Sequence, residues 1–155
     1  MNKYVERVHR VLKQNNFDGE IVTRDQTTKT AEEAASVSGV TVGQIVKSLI
    51  FKEAESNDAI LILVSGKNRV NTELFEKTTN IKLTKADAEF VLKQTGFHIG
   101  GVPPVGHLNK VQTFIDKDLF DYDEIWSSAG TEFSVFKSNA LFIEKISNAT
   151  QIQVS

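Results

Sequence analysis

The chain of 155 residues contains no cysteine. That absence removes disulfide frameworks, thiolate metal centres and cysteine nucleophiles together, and it suits a reducing compartment. Proline is scarce as well, with two residues, and no low-complexity stretch occurs, so the chain is neither collagenous nor disordered. Excess charge of one sign is also missing. The 18 basic residues face 20 acidic ones for a net charge of -2, with 11 and 11 over residues 1–80 and 7 and 9 over residues 81–155. Proteins that grip duplex nucleic acid through its phosphates carry a positive face or tail, so DNA is not an expected partner. Long apolar runs are absent too: the longest, Ala59 to Val64, falls far below the ~20 residues needed to cross a bilayer. The opening MNKYVERVHRVLK lacks the apolar run of a signal peptide. No membrane partner is expected, and a cytoplasmic location is.

What is present reads as one domain spanning residues 1–155. Tyr4, Val5, Val8, Val11 and Leu12 recur at helical spacing among charged residues, which predicts an amphipathic helix. Glu20 to Arg24 suits a short strand. Thr30-Ala31-Glu32-Glu33 is a capping box that starts a helix at Ala31 and ends it near Gly39. Ile45 to Phe51 and Ala59 to Ser65 read as central strands buried on both faces and joined as a hairpin. Helical spacing returns at Leu74-Phe75, and Ile81-Lys82-Leu83 reads as a short strand. A second capping box at Thr84-Lys85-Ala86-Asp87 predicts a helix with Ala88, Val91 and Leu92 inward, closed by Gly96. Phe97 to His107, rich in glycine and proline, is an irregular loop of fixed shape. Strands follow at Val111 to Ile115, Glu124 to Ser128 and Glu132 to Phe136, with a turn at Ala129-Gly130-Thr131 and a closing helix from Asn139 to Ile146. The fold class is α+β, with a mainly antiparallel mixed sheet, partly barrel-like, flanked by helices.

Several residues stand out chemically. Strict alternation puts Lys47 on the apolar face of Ile45, Leu49 and Phe51, where a lone ammonium costs several kcal/mol to bury. It is either a lysine snorkelling from a strand margin or a pocket lysine that meets an anion or polar substrate. Gly100 and Gly101 leave main-chain amides open to a ligand oxygen, and equally suit a rigid turn. The loop is neither a Walker sequence nor a dinucleotide fingerprint. His98 and His107 belong to no spaced metal motif, and the acidic cluster from Asp116 to Glu124 departs from the calcium loop, so neither metal nor cofactor is expected. Asp116, directly after Phe114-Ile115, is the acidic residue expected to point inward and orient something.

Taken together, these segments resemble the YbaK/EbsC family, which is similar to the editing insertion domain of bacterial prolyl-tRNA synthetase. The resemblance runs through Thr30 to Ala35, Gln44 to Phe51, Thr95 to His107, Phe114-Ile115-Asp116 and Ala129-Gly130-Thr131, in unbroken order over about residues 20–145. It implies a free-standing aminoacyl-tRNA deacylase that hydrolyses the ester of a small amino acid on the wrong tRNA. Such a site is needed because a pocket separates substrates that differ by one methylene only ~10- to 200-fold. The resemblance assigns catalysis to Lys47, Gly100 and Gly101, and substrate binding to Thr30, Ile45, Leu49, His107, Asp116 and Gly130. The implied partner is the acceptor end of a mischarged tRNA, delivered alone or by a synthetase or elongation factor. Water attacks the ester directly, Lys47 holds the terminal adenosine or the developing charge, and the glycine amides receive the oxyanion. A nucleotide- or aminoacyl-binding module without catalysis, and a small-molecule esterase, are the competing readings.

Overall fold

A computed structural model describes residues 2–155. Along the chain come α1 (Lys3–Gln14), β1 (Ile21–Thr23), α2 (Ala31–Ser38), β2 (Val46–Glu53), β3 (Ala59–Ser65), α3 (Thr72–Thr79), β4 (Leu83–Lys85) and α4 (Ala88–Thr95). Then follow β5 (Gln112–Asp116), β6 (Ile125–Ser128), β7 (Ser134–Ser138), α5 (Ala140–Ser147) and β8 (Thr150–Ile152), with 3-10 turns at Val42–Gln44 and Lys117–Asp121.

The most apolar segment of the sequence becomes the centre of the larger sheet, whose strand order is β4-β2-β3-β5-β8. β3 is buried at every residue. It has the antiparallel β2 on one edge and the parallel β5 on the other. Leu61 and Leu63 face the main core with α1, while Ile60, Ile62 and Val64 face a second core with Phe75 of α3. A smaller antiparallel sheet, β1-β7-β6, joins the larger one through a parallel bridge between Ile45 and Trp126. The strands thereby wrap part of the way round a shared core, as the sequence predicts.

β2 departs from expectation. Only Val46 in it is buried, because β4 pairs with Phe51, Lys52 and Glu53 alone. That edge of β2 carries no ladder partner from Val46 to Ile50, and the gap becomes a crevice. The second capping box is also displaced. Asp87 is itself the N-cap, its side chain accepting from the Phe90 amide, while Thr84 lies in β4 with its hydroxyl donated to the Lys52 carbonyl. The helix phase rotates accordingly: Val91 and Thr95 are buried, whereas Ala88 and Leu92 are exposed. The first capping box is where the sequence puts it, with the Thr30 hydroxyl accepting from the Glu33 amide and Gly39 ending the helix at φ 68°. β8 escaped prediction because only Ile152 in it is buried.

The segment after α4 closes on itself, with the Leu108 amide donating to the Thr95 carbonyl and the Asn109 amide to the Gln94 carbonyl. Residues 101–105 within it are buried. Irregular backbone tolerates this because Pro103 and Pro104 have no N–H to orphan. Phe97, fully buried, anchors the loop against Tyr4, with ring centroids 6.1 Å apart. Gly101 presses on the turn between β6 and β7, where a Cβ would lie 2.9 Å from Thr131 Cα and 3.1 Å from the Gly130 oxygen. Both are backbone atoms that cannot swing aside. Gly101→Ala should therefore cost about 1–3 kcal/mol of stability, read as a lower urea midpoint at unchanged slope.

Candidate active site

Lys47 projects from the open edge of β2, and its position is set by a relay that begins in the core. Asp116, at the end of β5, is 1% exposed. Its carboxylate accepts the Ser65 amide at 3.0 Å, the Asn68 side-chain amide at 2.9 Å and the Asp118 amide at 2.9 Å. Three N–H donors compensate a charge that burial would otherwise make costly. Asn68 also donates to Asp118 at 2.8 Å, which fixes the turn after β3. The main-chain carbonyl of Asn68 then accepts from Lys47 Nζ at 2.5 Å. Burial, and secondarily Arg69, holds the Lys47 amine below the ordinary lysine pKa, while Glu32 and Asp116 partly offset this.

The crevice around Lys47 has a volume of about 680 Å³, in the range of small-ligand sites. Gly100, Thr30, Ile45 and Leu49 line it with Lys47. Lys29, Lys67 and Arg69 add positive charge against the single acid Glu32. A chain of net charge -2 therefore presents a local cationic rim here, although neither its composition nor its halves reveal one. Serines 48, 127 and 128, with Trp126, Val102 and Val135, complete the walls.

The remaining expected residues sit elsewhere. The Gly101 amide is already donated to the His98 carbonyl at 2.9 Å, so it has no hydrogen left for an oxyanion. The Gly100 amide has no acceptor among the described residues and remains free. Gly101 and Gly130 line a second cavity of about 690 Å³ on the far side of the loop, with Tyr4, Arg24 and His98. Gly130 is needed for close approach to α1, since a Cβ there would meet the Tyr4 carbonyl at 2.9 Å. Asp116 reaches the crevice only through Asn68. His107 lines neither cavity: its Nε2–H donates to the Pro103 carbonyl at 2.8 Å, and its ring packs edge-on to Phe97. His98 bonds the Tyr4 hydroxyl instead. Among the described residues no group of three or more histidine or acidic side chains could hold a metal ion. None of the helices described is long and apolar enough to cross a membrane.

Asn68, Arg69, Lys29, Ser48 and Ser127 were not singled out from sequence. An Asn-Arg pair after a strand reads as an ordinary turn, and only the register of Val46 with Ser65 brings it over Lys47.

The mixed α+β fold thus carries a lysine-centred cationic crevice at an open strand edge, an arrangement suited to a small anionic ligand. Residues 25–143 match the model of the aminoacyl-tRNA editing domain, and the chain belongs to that family. The fold closely follows that of a crystal structure described as a candidate trans-editing enzyme for prolyl-tRNA synthetase. That structure is 36% identical, with a TM-score of 0.92, covering 100% of this chain and 98% of that one. YwhH of Bacillus subtilis (strain 168), a protein without assigned function, is 28% identical over 79% of this chain and 77% of its own length. The proline–tRNA ligase of Thermosipho melanesiensis (strain DSM 12029 / CIP 104789 / BI429) is 35% identical over 92 residues. That match covers 59% of this chain but only 16% of the ligase.

Burial lowers the His107 pKa, and the Pro103 carbonyl only partly opposes this. The unfolded chain therefore binds a proton at this site more readily than the native one. Native stability is full above the unfolded histidine value of about 6.5 and declines as pH falls toward the lower folded value. Urea unfolding at about pH 7.5 and about pH 5.5 should show a smaller acid loss in His107→Gln than in the parent.

Proposed function

We propose that this chain is an aminoacyl-tRNA deacylase that works in trans, with the whole chain as one editing domain. Its substrate is a small amino acid esterified to the wrong tRNA, and its partner is the acceptor end of that tRNA, presented alone or by a synthetase or elongation factor. The observation that carries this reading is the shared crevice: Lys47 and Gly100, whose amide has no acceptor among the described residues, line one space with Lys29, Lys67 and Arg69. Membership of the editing-domain family supports the same reading.

The terminal adenosine enters along the open edge of β2, and the rim cations meet the phosphates that precede it. Nucleic-acid contact of this kind is electrostatic and local, so it needs no positive charge across the whole surface. Water attacks the ester carbonyl carbon and negative charge builds on the carbonyl oxygen. The Gly100 N–H and the Lys47 ammonium stabilise that charge, each in a site partly closed to water. As the tetrahedral centre collapses, the bond to the ribose oxygen breaks. That oxygen takes a proton and the amino acid leaves as its carboxylate. No thiol is available to attack, and Asp116 is committed to its N–H donors. The attacking water passes one proton to the neighbouring hydroxyl of the terminal ribose, which gives up its own proton to the departing oxygen, while the product acid loses its remaining proton to solvent.

Lys47→Ala should lower kcat/KM for deacylation at least about 100-fold with an unchanged circular dichroism spectrum and melting temperature. Full activity in that variant would sink the assignment. Hydrolysis of simple aminoacyl esters as fast as of aminoacyl-tRNA would favour an esterase, and tight binding without turnover a binding module.

The electrostatics add a second expectation. If the ammonium is the active form, turnover falls as pH rises through a midpoint below that of an ordinary lysine. Arg69 is one of the groups that depress it, so Arg69→Ala should move that alkaline limb to higher pH in single-turnover assays corrected for spontaneous ester hydrolysis.

A further inference from the structure

The second cavity, of about 690 Å³, takes no part in the reaction described above. Apolar side chains scattered singly over a surface need no explanation, whereas a group of them around one hollow marks an interaction site. Among the described residues five large apolar side chains are exposed, and two of these, Ile99 at 53% and Phe133 at 37%, line this cavity together. Half-buried Tyr4 lines it with them, its hydroxyl held by His98 Nε2 at 3.1 Å. Arg24 and Glu132 also line it. Arg24 is fixed beside Phe133, because its amide donates to the Phe133 carbonyl at 2.7 Å and its guanidinium lies 5.6 Å from the centre of the Trp126 ring. Apolar and aromatic walls with one cation and one acid suit a flat heterocycle with a hydrogen-bonding edge better than a bare anion.

The two cavities adjoin. Ile99 lines both, and from it the chain passes to Gly100 in the Lys47 crevice and then to Gly101 in the second cavity. A second seam joins Thr28, which lines the crevice, to Glu132, which lines the cavity: the Thr28 amide and hydroxyl both donate to the Glu132 carbonyl, at 2.5 and 2.8 Å. Lys29 packs on the same loop, with its Cγ 3.0 Å from where a Cβ on Gly100 would stand. A single strand that leaves the crevice across Ile99 therefore carries its phosphate past Lys29 and brings its next base to the second cavity.

We infer that the second cavity binds the base of the nucleotide preceding the terminal adenosine, a cytosine in mature tRNAs, stacked against Phe133 and Ile99 with Arg24 and Glu132 at its polar edge. The inference rests on the deacylase reading and gives that site a hold on its substrate that is independent of the amino acid. Proteins that take single strands combine cations along the backbone with apolar and aromatic platforms under the bases. A guanidinium donates to the carbonyl and ring nitrogen of cytosine, and a carboxylate accepts from its exocyclic amine. A chain of net charge -2 gains affinity in this way without further positive charge.

The test is calorimetric binding of three hydrolysis-resistant probes that carry alanine through a 3′-amide: the aminoacyl-adenosine, its 5′-phosphate, and the same adenosine extended by cytidine through that phosphate. With the parent chain the cytidine should raise affinity at least about 10-fold over the 5′-phosphate probe. Phe133→Ser and Arg24→Gln should each bring those two probes within about threefold, while Phe133→Tyr keeps the gain. Neither Phe133 nor Arg24 is buried, and melting temperatures check that each variant is folded. Equal affinity for the two probes in the parent overturns the inference, as does a cytidylyl probe that does not bind at millimolar concentration. A gain that survives both variants overturns it too, and so does an equal loss on all three probes, which assigns the cavity to the adenine. In turnover assays Phe133→Ser should raise KM for the aminoacyl-tRNA and leave kcat unchanged. If no mischarged tRNA is cleaved but the cytidine gain is present and is lost in the variants, the deacylase reading fails and the base site stands.

Discussion

The Asp116 carboxylate, enclosed in the core and met by N–H groups from Ser65, Asn68 and Asp118, is the constraint on which the site geometry rests. A buried carboxylate is tolerated only while its donors stay in place, so the end of β3, the turn after it and the 3-10 turn after β5 are tied to one point. Asn68 cannot drift without uncovering that charge. Its carbonyl in turn is the acceptor that holds the Lys47 ammonium. A charge in the core thus fixes a second charge at the crevice wall, with no direct contact between them.

The crevice also shows how a nearly neutral chain gathers positive charge at one place. Lys29, Lys47 and the pair Lys67 and Arg69 come from three separate segments and converge on one opening. At physiological ionic strength fields decay over about 8 Å, so a rim of this size acts on a ligand at its mouth and is invisible at a distance. The cost appears in Lys47 itself, whose amine is made more acidic by burial and by Arg69.

The adjacent loop glycines divide their work. Gly101 is a structural necessity, packed against the backbone of the β6–β7 turn with its amide spent on His98. Gly100 lines the crevice, and its amide has no acceptor among the described residues. The loop keeps its shape because Phe97 anchors one end, the prolines remove donors that burial would orphan, and His107 clips the Pro103 carbonyl. The loop is thereby a rigid wall of the crevice.

Local patterns read directly from the sequence were those whose physics is local. The apolar run of β3, the amphipathic stripe of α1, the Thr30 cap and the glycine that ends α2 each depend on residues within a few positions of one another. The same is true of Lys47 as a cation on an apolar strand face and of the loop as rigid and irregular. Where two local signals competed, as at Thr84 and Asp87, the pairing of β4 with β2 decided between them. The sequence alone therefore determined the α+β class, the strand that carries the lysine and the motifs that mark the family. Only the tertiary structure decided that Gly100 and not Gly101 lines the Lys47 crevice, that Asp116 is bonded to Asn68 rather than exposed there, and that four cations meet at one rim. Those facts depend on which strand edge is left open and on which backbone amides are already spent, and both are settled by contacts between segments far apart in the chain.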